Sequence, residues 1–190
     1  MSKKVYTFLA NGFEEVECLA VVDLLRRANI DVVMISITNN KYVTGSHRIT
    51  VQADALFDET DFSDASLLFL PGGMPGTKYL AAHEGLTTLI KNCHKNKKYL
   101  AAICAAPIVY GELHLLSGKH ATCYPGFEEK CMGAIMENNG VVTDGTIITA
   151  RGLGFAIDLG LELIRILENE ELSNQIKSAI QHPNASLTEK

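Results

Sequence analysis

The stretch Tyr99-Leu-Ala-Ala-Ile-Cys-Ala-Ala-Pro107 sets a single thiol, Cys104, among small apolar residues just before a proline. Two readings are open. Small apolar neighbours are where an inert, buried cysteine packs. They also suit a strand that turns sharply into a helix with a nucleophile at the bend, because in Ala102-x-Cys104-x-Ala106 the flanking side chains must be tiny, as in the G-x-S-x-G elbow. In the second reading a helix beginning at Ala105 aims free N–H groups and the positive end of its dipole at the sulfur, which favours the thiolate. Cys104 is then the one thiol expected to have a depressed pKa; Cys18 on a helix and Cys93 in a polar stretch have no comparable donors.

Two further features carry chemistry. In the helix predicted over residues 14–29, Glu15, Asp23, Arg26 and Arg27 fall on one side, while Glu17 falls among Ala20, Val21, Leu24 and Ala28. Such a carboxylate either reaches water near the helix start, or is buried with its pKa raised, ready to give and take protons near neutral pH. The second feature is Leu70-Pro-Gly-Gly-Met-Pro-Gly76. It reads as a glycine turn before a helix, without the Lys-Ser/Thr of a phosphate-binding loop or the spacing of a dinucleotide fingerprint. What it offers is bare backbone: its amides, with the N–H of Ala105, can form a hole for an oxyanion.

Positioning these groups falls to elements visible as alternating apolar and amphipathic runs. Strands are predicted at 4–10, 31–37, 66–70 and 99–103, with a hairpin over 41–53 turning at Thr44-Gly45-Ser46. Helices are predicted over 14–29, in two pieces between 77 and 96, from Ala105 to Leu116, and near 155–168 and 171–180. A short strand near 120–123 and a hairpin turning at Asp144-Gly145 complete the pattern. Apolar strands alternating with helices imply an α/β fold whose mostly parallel sheet is covered on both faces. Open parallel sheets bind ligands outside the carboxyl ends of their strands. Cys104, the glycine loop and Glu17 all follow strands, so they share that rim.

Composition bounds the function. The 190 residues, 47% hydrophobic, read as one globular domain over 1–190 with a short tail at 182–190. The net charge is −5 and the basic residues are scattered, which excludes a cationic footprint for nucleic acid. No signal peptide and no apolar run of membrane-spanning length is seen, so the chain is expected to be soluble and cytoplasmic, with no membrane partner. The five cysteines are odd in number and never spaced C-x-x-C, which points to reduced thiols. The six histidines form no H-x-x-x-H pair, and neither a metal nor another cofactor is implied. Asn184-Ala185-Ser186 fits a glycosylation pattern and reads as chance.

Gly12-Phe-Glu-Glu-Val-Glu17, Leu70-Pro-Gly-Gly73, Ala101-Ala-Ile-Cys-Ala-Ala-Pro107 and Thr149-Ala-Arg-Gly152 together resemble the ThiJ/PfpI superfamily, in its Parkinson-disease deglycase branch and near the bacterial YajL-like members. The resemblance runs in order through essentially the whole chain. It implies a flavodoxin-like three-layer sandwich, a homodimer, a reactive cysteine at Cys104, a carboxylic acid partner at Glu17, and amide donors at Gly72, Gly73 and Ala105. Tyr124, His47 and Arg27 are the implied contacts for substrate or anion. The implied activities, without cofactor, are of the glyoxalase III and deglycase type, on small aldehydes such as methylglyoxal or on glycated amines and thiols. A redox-responsive chaperone or stress sensor using the same cysteine is the alternative, and thiamine-precursor metabolism a third reading. The chain also departs from the family. Protease-like members carry His after the nucleophile, where Ala105 stands; Tyr124 takes the place of a histidine of the human-type branch; His47, beside Arg48, stands where an arginine is common; and Leu153 replaces a proline. No downstream His-x-Glu of a glutamine amidotransferase is present.

Overall fold

The segment Lys4-Val-Tyr-Thr-Phe-Leu9 is apolar on both faces, and such a strand is satisfied only inside a sheet covered on both sides. In the computed structural model, which describes residues 3–185, this is its place. The strands are β1 (Lys4–Leu9), β2 (Asp31–Ser36), β3 (Tyr42–Thr44), β4 (Thr50–Gln52), β5 (Ala55–Leu56), β6 (Ala65–Leu70), β7 (Tyr99–Ile103), β8 (His120–Ala121), β9 (Ile135–Met136), β10 (Val141–Asp144) and β11 (Ile147–Ala150). The helices are α1 (Glu15–Arg27), α2 (Gly76–Ala82), α3 (Glu84–Lys95), α4 (Pro107–Glu112), α5 (Ala156–Leu167) and α6 (Glu170–Ala179). Seven strands form the main sheet in the order β10-β11-β7-β6-β1-β2-β5. Within that sheet only the β10–β11 pair is antiparallel.

Alternation along the strands divides the core in two. Val5, Leu9, Leu67, Phe69, Ala101, Ile103 and Ile148 pack with residues of α1 and α5. Tyr6, Phe8, Leu68, Leu70, Leu100, Ala102 and Ile147 pack with residues of α2, α3 and α4. The result is the α/β sandwich expected, a mostly parallel sheet between helical layers. From β1 the chain proceeds to β2 on one side, while β6 lies on the other, so the loops after β1 and β6 diverge at a topological switch point. Those two loops are stitched together, with the Glu14 N–H donating to the Gly72 carbonyl (2.8 Å) and the Gly76 N–H to the Gly12 carbonyl (3.2 Å).

Two sequence expectations change. The helix expected from Ala105 to Leu116 is only α4, Pro107–Glu112, and residues 104–106 form a turn. Pro107 suits the first helical position because it has no N–H to leave unpaired. At the other end His114 takes φ 58°, and the Leu115 N–H returns to the Tyr110 carbonyl (2.9 Å), which closes the helix. Second, Glu15 is buried rather than on the charged side of α1, because the β3–β4 hairpin folds over it. Of the tail expected at 182–190, residues 186–190 lie outside the described residues, as does Ser186 of the glycosylation pattern.

Candidate active site

Cys104 sits at the end of β7 with φ 63°, in the left-handed region that a residue with a side chain seldom adopts. Its neighbours hold it there: its N–H donates to the Ala150 carbonyl (2.9 Å), and its own carbonyl accepts from the Tyr124 N–H (2.8 Å). The side chain is partly exposed. The N–H groups of Ala105 and Gly73 both reach the sulfur. They belong to the turn before α4 and to the glycine loop after β6, so the donors are turn amides rather than the start of a long helix.

Glu17 is 1% exposed, on the first turn of α1. Its Oε2 accepts from the Gly72 N–H (3.0 Å), the Leu153 N–H also donates to the carboxyl, and the carboxyl is hydrogen-bonded to Cys104. Burial, with the charge of Glu14 adding to it, pushes the Glu17 carboxyl up to about 7 against the pull of these donors. Burial, then the negative charge of Glu17, pushes the Cys104 thiol up to about 12, while the Ala105 and Gly73 amides pull it down. This reverses the depressed thiol expected from a helix start at Ala105. The charge of Glu17 acts only while that carboxyl is ionised, so the pair is a thiol beside its own base, with the base half-protonated near neutral pH. The thiol whose pKa is lowered is instead Cys131, through a hydrogen bond from Cys123.

The glycine loop is shaped by proximity. A Cβ at Gly72 would lie 2.5 Å from Glu17 Oε2 and 2.6 Å from Cys104 Cβ. Gly73 has φ 91°, and a Cβ there would strike the backbone of Phe13 and Glu14. Both were expected as donors to an oxyanion. Gly73 keeps that position, whereas the Gly72 N–H is taken up by Glu17.

The other expected contacts divide. Tyr124 is brought to the nucleophile through its amide, and its half-exposed ring lies beside Gly152. His47 is on the hairpin turn, with Nδ1 3.0 Å from Glu15 Oε2 and 3.6 Å from Glu14 Oε1. Its N–H donates to Glu15 Oε1 (2.7 Å). Arg27 is not part of the site. It ends α1, more than two turns beyond Glu17, where its exposed guanidinium pairs with Asp23 (2.6 Å).

Sequence reading passed over three contributors. Glu14 caps α1 by accepting from the Glu17 N–H (2.6 Å), which fixes the turn that carries Glu17. Glu15 accepts from the N–H groups of His47 and Ile49 and ties the hairpin to the rim. Leu153 supplies an amide to Glu17 from the loop after β11. Acids at a helix start are ordinary company for its dipole, so Glu14 and Glu15 carried no signal of their own. Glu14, Glu15 and His47 also come within metal-ligand reach of one another, a grouping that residue spacing did not suggest. One oxygen of each carboxylate is already engaged, Glu14 Oε2 by the helix cap and Glu15 Oε1 by the hairpin amides.

Comparison with known proteins places the fold. Residues 3–166 match the DJ-1/PfpI family. Protein DJ-1 homolog B of Arabidopsis thaliana is 34% identical over 172 residues, 90% of this chain and 39% of that protein. The chain thus spans well under half the length of that plant relative. Protein dj-1beta of Drosophila melanogaster is 29% identical over 95% of this chain and 97% of its own length. Among solved structures, oxidized Toxoplasma gondii DJ-1 superimposes with a TM-score of 0.90 at 32% identity, covering 94% of this chain and 98% of that one. With the match extending from β1 through most of α5, this chain belongs to the DJ-1/PfpI family.

Proposed function

We propose that the chain is a cysteine enzyme that converts small reactive aldehydes, of the methylglyoxal or glyoxal type, to hydroxy acids, or releases their adducts from amines and thiols. The observation that carries this reading is a buried carboxyl, pushed up to about 7, hydrogen-bonded to a strained cysteine that two backbone amides face. Cys104 sulfur adds to the aldehyde carbon while its proton passes to the Glu17 carboxylate, and the Ala105 and Gly73 amides receive the developing alkoxide. Glu17 returns that proton to the alkoxide oxygen, takes the proton from the same carbon to leave an enediolate, and delivers it to the neighbouring carbon, while the hydroxyl proton passes to the neighbouring oxygen and the first carbon becomes the thioester carbonyl. The product is a hydroxyacyl thioester on Cys104, which water cleaves to the hydroxy acid and the free thiol. The route calls for neither metal nor glutathione. Protease chemistry is not supported, because Ala105 stands where a Cys-His pair would need its base.

The same surroundings support a second reading, a redox-responsive sensor or chaperone in which Cys104 is oxidised to a sulfenic or sulfinic acid, its oxygens accepting from the same amides. Steady-state kinetics separates the two. Methylglyoxal should give lactate with saturable kinetics, and Cys104→Ala should abolish it. Absence of turnover in the reduced wild-type protein would favour the sensor.

A further inference from the structure

Away from Glu17, the structure holds a second pair of reactive groups. Cys123 and Cys131 are 3% and 2% exposed, in the same apolar cluster below the loop that joins β8 to β9. Their thiols are hydrogen-bonded to each other. Cys123 Sγ also lies 3.4 Å from the Tyr124 carbonyl oxygen. The chain between them is light cover: Tyr124, Pro125, Gly126, Glu128, Glu129 and Lys130 are exposed, and its only regular structure is one 3-10 turn, Glu128–Lys130. Beneath, Gly111 of α4 lets the Cys131 backbone approach closely, since a Cβ there would lie 2.7 Å from Cys131 Cα.

We propose that Cys123 and Cys131 are a redox-active dithiol that a hydroperoxide converts to an intramolecular disulfide and that thiols reduce again. The pair is polarised for this. The hydrogen bond from Cys123 lowers the Cys131 thiol, whereas that bond together with burial raises Cys123. Because the Cys123 sulfur also faces the Tyr124 carbonyl (3.4 Å), Cys131 is the attacking sulfur and Cys123 the resolving one. In the first step Cys131 sulfur bonds to a peroxide oxygen, the O–O bond breaks, and one water leaves with a sulfenic acid on Cys131, when the oxidant is hydrogen peroxide. In the second step Cys123 sulfur attacks that sulfur, the S–O bond breaks, and a second water leaves. Two thiols and one peroxide become one disulfide and two waters. Peroxide reaches the pair when the exposed turn opens, a local fluctuation that needs no disruption of the main sheet. The bridged loop begins at Tyr124, whose N–H holds the Cys104 carbonyl, so the dithiol lies one residue from the backbone that supports the nucleophile. This inference is independent of the aldehyde reading.

The test uses native Cys104→Ala protein, so that the exposed thiol does not compete. After hydrogen peroxide treatment, remaining thiols are alkylated and the chain is cut with trypsin without reductant. Cleavage after Lys119, Lys130 and Arg151 puts Cys123 alone in peptide 120–130 and Cys131 alone in peptide 131–151. The expected result is that these two peptides are joined, that dithiothreitol separates them, and that linkage to peptides holding Cys18 or Cys93 is at least about tenfold lower. The same linked pair is expected in the wild-type protein. Recovery of Cys123 and Cys131 as alkylated thiols, as separate sulfinic acids, or linked to any other cysteine would overturn the proposal.

Discussion

Glu17 is the residue on which the chemistry turns, and its own titration is measurable. A carboxyl raised from its usual 4.5 to about 7 favours the folded state fully below the unfolded value, and the advantage is lost as pH rises through the folded one. Glu17→Gln removes that dependence. The stability of Glu17→Gln relative to wild type should therefore increase between pH 4.5 and 8, by up to about 3 kcal/mol for a shift of this size. Denaturant midpoints that run parallel across that range would show that the carboxyl is ordinary. The same variant separates the two roles of the carboxyl toward Cys104. Glutamine keeps an acceptor for the Gly72 N–H but carries no charge to oppose the thiolate, so iodoacetamide should label Cys104 at least as fast as in wild type at pH 8. Methylglyoxal turnover should nevertheless fall by about a hundredfold or more, the loss typical of a general acid-base group. Turnover close to wild type would leave Glu17 only a tuning role and favour the redox reading.

At the scale of elements, the site depends on how closely the loop after β6 approaches α1 and the end of β7. Gly72→Ala is expected to cost about 1–3 kcal/mol, as overpacking does, and to reduce turnover about a hundredfold by displacing Glu17 or Cys104. Unchanged turnover would mean that this three-way contact does not set the geometry. Much of this arrangement was legible in the sequence. β7 begins and ends where its apolar run does, and Glu17 betrayed itself as a carboxylate on the core side of α1. What stayed hidden depends on partners distant in the chain. Glu15 is 1% exposed because the β3–β4 hairpin covers it, which no periodicity within α1 can register. The short α4 was hidden because Leu113 to Leu116 continue an apolar pattern that a left-handed His114 interrupts. The direction of the Cys104 shift was misjudged for a related reason: adjacency to a helix was visible, but the burial of the sulfur, and the charge of Glu17 against it, arise only when α1 and β7 are assembled.

For the molecule as a whole, several of the exposed apolar residues lie on α1 or on the loops tied to its first turn. Val16 and Leu19 on α1, Ile49 on the hairpin tied to Glu15, and Leu153 on the loop that donates to Glu17 are each between 36% and 52% exposed. We expect this face to pair with a second copy, as the homodimer implied by the family resemblance requires. Sedimentation at micromolar concentration should show a dimer that Val16→Asp with Leu19→Asp dissociates; a wild-type monomer would refute it. No helix among the described residues is long and apolar enough to cross a membrane. The central claim, that Cys104 and Glu17 together turn an aldehyde into a hydroxy acid by moving a proton between carbons, is tested most directly by following methylglyoxal in deuterium oxide by proton NMR. The wild-type protein should form lactate whose C2 hydrogen is protium where Glu17 passes the substrate proton on directly and deuterium where the carboxyl exchanges first, whereas Cys104→Ala should form none and Glu17→Gln about a hundredfold less. Lactate formed as readily by Cys104→Ala or by Glu17→Gln would contradict that claim.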